Sequence, residues 1–159
     1  MRVLCCLDGT NSAQIAKATG MLAEDLTLAL LHVIDTGPRQ DLDRLRERFF
    51  RPPAHRLPHE REIRETEKAS AEDILSAGQQ HVGRAEIIRR EGRPEREIVN
   101  TAAEWQADLV VICARAEHGQ KAHFGPRSIG HVARFVLDHA PCPVLLIRPV
   151  SRDQIPMAP

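Results

Sequence analysis

GPRSIGHVARFVLDHAPCPVLLIR, running from Gly125 to Arg148, spells a turn, a helix and a buried strand in immediate succession. Ser128 has the side chain to cap the helix, accepting a hydrogen bond from a first-turn N–H. Ile129, Val132, Ala133, Val136 and Leu137 then recur at the spacing of one apolar helical stripe, with His131, Arg134 and Asp138 on the other side. Pro141 ends the helix, because its ring clashes with the preceding turn and it lacks an N–H. Val144 to Ile147 is wholly apolar, which predicts a strand covered on both faces. The turn before the helix brings free N–H groups, Arg127 and His131 together, a natural seat for an anion.

Working outward, the same punctuation repeats. Val3 to Leu7 reads as a buried strand left through the turn Asp8-Gly9-Thr10-Asn11, and a helix follows from Ser12 to Leu22 on Ile15, Ala18, Thr19 and Leu22. Leu26 to Ile34 is a second strand. A long helix over Glu60 to Val82, anchored by Ile63, Ile74 and Ala77, precedes a third strand at Ala85 to Arg90. Gly92-Arg93-Pro94 opens a helix that runs to Trp105, with Pro94 in the first turn where its missing N–H does little harm. Leu109 to Cys113 is the fourth strand. Strands alternating with helices predict an α/β fold: one doubly wound, five-stranded parallel sheet with helices on both faces. The domain is expected over residues 1–150, with a loose tail over 151–159. Ligands of such sheets bind beyond the carboxyl ends of the strands, where strand order reverses. That places Asp8 to Thr10, Ile34 and Asp35, Glu91 to Arg93 and the chain from Ala114 onward around the expected crevice.

Composition narrows the function. The 159 residues carry 22 basic and 22 acidic side chains, so no global field draws the chain to nucleic acid or to an anionic membrane. Tyr is absent and there are only 4 Phe and 1 Trp, which argues against base-stacking platforms. Residues 39–68 hold opposing charges that nearly cancel, with Asp41 to Phe50 as a candidate helical turn or two; this is a solvated face rather than a nucleic-acid patch. No run is long enough to cross a membrane, and the first thirty residues lack a signal pattern. The four cysteines show neither CxxC nor ligand spacing, and His55, His59, His118 and His123 form no repeating ligand set, so no metal site is expected. His32, inside an apolar strand, reads as a hydrogen-bonded core histidine. Nucleophile-elbow, P-loop and dinucleotide fingerprints are all missing. Asp8 can accept from a ligand or simply form its own turn, and the two roles are compatible.

Four segments in order resemble the universal stress protein family: VLCCLDGTNSAQIA, LALLHVID, REGRPEREIVNTAAEWQADLVVICAR and HAPCPVLLIRP. The resemblance implies sheet order 3-2-1-4-5, a cytoplasmic location, a homodimer paired through the Val144–Ile147 edge strand and, in one branch, ATP or another adenine nucleotide as ligand. That branch carries G-x-x-G, nine residues, then G-S/T. Aligned from HAPCPV, its positions fall here on Glu117, Gln120, Gly130 and His131, so three of four have departed. Gly119, Gly125 and Ser128 offer material for a differently shaped loop, with Lys121 and Arg127 as phosphate partners. Asp8 and Val33 match the adenosine-side positions. The implied site is therefore Asp8, Gly9, Thr10 and Val33 for the nucleoside, and Arg127, Ser128, Gly130 and His131 around the phosphates. The expected function is a non-catalytic stress or signalling module, without catalytic or metal-binding residues, whose ATP binding is weak or lost. The alternative is an ATP-binding or nucleotide-hydrolysing protein using the same crevice.

Overall fold

The computed structural model describes residues 1–22, 25–37, 58–114 and 129–148, with side chains from residue 61 onward in the third of these. Their elements are β1 (Arg2–Leu7), α1 (Ser12–Thr19), β2 (Thr27–Asp35), α2 (Pro58–Val82), β3 (Glu86–Gly92), α3 (Pro94–Glu104), β4 (Leu109–Cys113), α4 (His131–His139) and β5 (Val144–Ile147). All strand pairs are parallel, in the order β3-β2-β1-β4-β5. The predicted fold class and strand order are thus those of the molecule. Residues 41–50 and 149–159 lie outside the described residues, and with them the expected helical turn and the tail.

β1 is central because its run Val3–Leu7 is apolar on both sides of the pleat, and every one of these residues is buried. Leu4 sits in register with Ala29 on one side and Val110 on the other. Alternation then divides the strand between two cores. Leu4 and Cys6 join Leu31, Ile98, Ile112 and Val136 beneath α3 and α4. Val3, Cys5 and Leu7 join Ile15, Leu30 and Leu75 beneath α1 and α2. The adjacent cysteines therefore serve opposite faces, and all four thiols are free. Fully burying a side chain such as Leu4 or Leu30 contributes about 1.5–3 kcal/mol.

Several expectations shift. The first helix ends at Thr19 rather than Leu22, where Gly20 follows. In α2 the predicted anchor Ile63 is 38% exposed; burial begins at Ala71 and continues at Leu75, with Ile74 and Ala77 half-buried. The helix outruns the sheet, so periodicity alone misjudged its first turns. On α4, Ala133 and Val136 are buried while Leu137 is 41% exposed, because β5 is the edge strand and the sheet ends beneath that side of the helix. For the same reason β5 is half-buried at all four residues instead of covered on both faces.

The two sheet edges differ in chemistry. β3 carries Arg89 bonded to Glu72 at 3.1 Å and Glu91 beside Lys68 at 4.0 Å, both toward α2. Toward α3, Arg90 meets Glu104 at 2.6 Å, and the Trp105 indole N–H donates to Glu86 at 2.8 Å. β5 has no charged residue. The Val110 N–H bonds the Pro143 carbonyl and the Ala114 N–H bonds the Ile147 carbonyl. By the two-residue alternation of a strand, the backbone groups of Val144 and Leu146 point away from β4.

Candidate functional site

Order reverses between β1 and β4, and a crevice of about 420 Å³ lies beyond their carboxyl ends. One wall is apolar, from Leu31 and Val33 of β2, Ile98 of α3, Ile112 of β4 and Ile129. The polar rim comes from Asp8, Thr10, Asn11, His32, Asp35 and the start of α4.

The Asp8 turn is held by its own side chains. Asp8 Oδ1 accepts from the Thr10 N–H at 2.8 Å and from the Thr10 hydroxyl at 2.9 Å. Gly9 takes φ +93°, a conformation that favours glycine, and a Cβ there would also crowd Ile74 Cδ1 at 3.1 Å. The Asp8 N–H donates to Asn11 Oδ1 at 3.2 Å, and Asn11 Nδ2 donates to the Cys6 carbonyl at 3.0 Å. Asn11 occupies the N-cap position of α1 yet makes no side-chain cap bond, forgoing a contact worth about 0.5–2 kcal/mol.

His32 is bonded, as expected, but it also faces the crevice and is only half-buried. Its Nδ1 lies 2.9 Å from the Leu7 carbonyl. A carbonyl can only accept, so Nδ1 carries a proton in this bond. Opposite, α4 begins at His131 with Gly130, at φ +79°, as its cap residue. This corrects the expectation that Ser128 is the cap. Positive φ is cheap for glycine, and it lets the chain turn sharply into the helix. The N–H groups that a first helical turn leaves without intrahelical partners thus border the crevice.

Of the expected site residues, Asp8, Thr10, Val33, Gly130 and His131 all line this one crevice. Gly9 shapes the turn without lining it. Arg127 and Ser128 lie outside the described residues, as do Glu117, Gln120 and Lys121. Of the wider ring, Asp35 lines the crevice, whereas Ile34 is buried in the sheet and Pro94 takes the place expected of Glu91 to Arg93. Asn11 and Cys113 are lining residues that sequence reasoning passed over. Asn11 had a visible signal in its position directly after Asp-Gly-Thr. Cys113 had none, since its neighbours come from distant parts of the chain.

The thiols set a pH limit on the fold. Burial pushes Cys5 up to about 12, with a smaller push from Cys113. Burial likewise raises Cys6. Cys113 is pushed up to about 11 by burial, against a hydrogen bond from Asn11 that lowers it and a further rise from the Asp8 charge. A raised folded-state value means that the fold keeps protons the unfolded chain loses, so the stabilisation is complete below the ordinary thiol value of 9.0 and is lost as pH climbs from there toward 11. Urea midpoints should accordingly be level between pH 7 and 8 and lower at pH 10. An unchanged midpoint at pH 10 would contradict buried, protonated thiols.

Among the described residues no helix is long and apolar enough to cross a membrane. Comparison with known proteins agrees with the geometry. The model of the Universal stress protein family matches residues 1–148. A universal stress protein of Thermus aquaticus, named for the 3′ region of a QAH/OAS sulfhydrylase, is 30% identical over 150 residues, covering 92% of this chain and 97% of that one. Among solved structures, universal stress protein UspA of Lactobacillus plantarum superposes with a TM-score of 0.66 at 23% identity, covering 93% of this chain and 97% of the other. An Arabidopsis thaliana member solved with AMP bound gives 0.58 at 19% identity, covering 99% and 96%. With the family model spanning nearly the whole chain and the parallel 3-2-1-4-5 sheet in place, the chain belongs to the universal stress protein family.

Proposed function

We propose that the protein is a non-catalytic stress-response and signalling module, a cytoplasmic homodimer with a crevice for adenosine and a weakened grip on phosphate. The observation carrying this reading is the meeting of Asp8 and Val33 in one crevice with the first turn of α4. Asp8 Oδ1 is occupied by Thr10, and Oδ2 has no partner among the described residues, leaving an acceptor for a nucleoside hydroxyl or N–H. Val33 and Ile98 offer apolar contact to a base. Against the phosphates, His131 stands at the family's Ser/Thr position, and Glu117 and Gln120 replace glycines in the sequence. Each missing donor to a charged oxygen costs about 1.5–3 kcal/mol, roughly ten- to a hundredfold in affinity. Binding of AMP by the Arabidopsis relative, which shares the fold, is in keeping with an adenine ligand.

Thermal unfolding tests the reading. Ligand at about 100 times its dissociation constant adds about 2.7 kcal/mol, or roughly 5–11 °C in a chain of this size. Millimolar ATP, AMP and adenosine should instead each give a small and similar rise. A shift of several degrees with ATP that AMP cannot match would show a working phosphate grip and overturn the proposal. Magnesium-dependent ATP turnover abolished by Asp8→Ala would overturn its non-catalytic part.

A further inference from the structure

We propose that Asn11 is a positioning residue that holds the Asp8 carboxylate ready for the ribose hydroxyls of a nucleoside, an inference resting on the adenosine reading above. Asp8, Gly9 and Thr10 are exposed, yet Asn11 directly after them is only 5% exposed. A buried amide in an otherwise solvated turn must be bonded at both ends. The nearest partners for it are the open N–H groups of α1, which asparagine at this position commonly takes. Here it takes none of them. Its oxygen accepts from the Asp8 N–H instead, and its Nδ2 donates to the Cys6 carbonyl.

The amide therefore ties the carboxyl end of β1 to the turn that leaves it, at the point where strand order reverses. Asp8 is held twice: through its backbone by Asn11, and through Oδ1 by Thr10. One carboxylate oxygen is spent on the turn and the other is aimed by it. A receptor group fixed before the ligand arrives loses no conformational freedom on binding. That gain applies only to a ligand that bonds Asp8, and this selectivity separates positioning from general support of the fold.

The test is an NMR titration of the wild-type chain and of Asn11→Ala with adenosine and with 2′,3′-dideoxyadenosine, which lacks the 2′ and 3′ hydroxyls of the ribose. Wild type should prefer adenosine. In Asn11→Ala adenosine should weaken about tenfold while dideoxyadenosine stays within about twofold. Equal weakening of both ligands, or of neither, would overturn the positioning role while leaving the adenosine reading intact. A wild type that binds neither ligand would sink the adenosine reading, and this inference with it, whereas one that binds both equally well would overturn this inference alone. Should Asn11→Ala fail to fold, Thr10→Val at the exposed neighbouring position decides the matter. It removes the hydroxyl bond to Oδ1 while keeping the backbone N–H bond, and should produce the same selective loss in smaller degree; its absence would count against a held carboxylate.

Discussion

Leu146→Lys is expected to convert a homodimer into a monomer. β5 is an edge strand of four apolar residues, half-buried along its whole length, with the backbone groups of Val144 and Leu146 turned outward. Such an edge is a template for a second strand unless something covers it. A twofold interface would bury Leu146 twice, at about 1.5–3 kcal/mol for each copy, so losing both weakens association by roughly a hundredfold to ten-thousandfold. The introduced ammonium groups would also face each other across the axis. Sedimentation or light scattering at micromolar concentration reads the result, with circular dichroism confirming that the variant is folded. A wild type that sediments as a monomer, or a variant that associates as tightly, would rule out pairing through this strand.

The largest effect on stability is expected at Leu4. It is fully buried in the central strand, flanked in register by Ala29 and Val110, and packed in the core beneath α3 and α4. Leu→Ala at buried sites costs about 2–5 kcal/mol, and a strand paired on both sides has little freedom to close the cavity, which points to about 4. That corresponds to a fall of roughly 8–16 °C in Tm. The same substitution at Leu137, 41% exposed on α4, should stay within about 0.5 kcal/mol. Equal losses at the two positions would mean that the helix docks by a different face.

Leu137 also marks where sequence reasoning reached its limit. Most of the elements were legible because short apolar runs such as Val3–Leu7 and Val144–Ile147 are bounded by Asp-Gly and Pro-Cys-Pro, which stop a strand whatever surrounds it, and the strand order was legible through the family resemblance. Periodicity, however, says only which residues share a helix face. It does not say whether a sheet extends far enough to cover them, and so Leu137 and Ile63 were assigned to cores they do not reach. The crevice was legible for Asp8 and Thr10, which follow a strand, and for His131 at the start of a helix, while Val33 and Gly130 were legible only through the family resemblance. The start of that helix was not, because Ser128 is the better cap by chemistry while Gly130 has the backbone freedom the turn uses. Asn11 was passed over although its signal was visible, because asparagine after Asp-Gly-Thr reads as an ordinary turn residue or helix cap, and nothing in the sequence shows that its amide turns back to the Asp8 N–H and the Cys6 carbonyl.

The unlike edges of the sheet carry a consequence for assembly. At β3 Arg89 and Glu91 on one face, and Glu86 and Arg90 on the other, are engaged in an ion pair or a hydrogen bond to a neighbouring helix or its end, so an incoming strand would meet charges already committed elsewhere. At β5 it would meet only apolar side chains and open amides. In the language of polymer chemistry, pairing through β5 alone would give the subunit a valence of one. Two such subunits joined edge to edge leave only their blocked ends exposed, so the joint sheet stops at ten strands. A subunit with two open edges would have a valence of two and could grow into a fibre. Arg89, Arg90 and Glu91 act, on this view, as chain terminators.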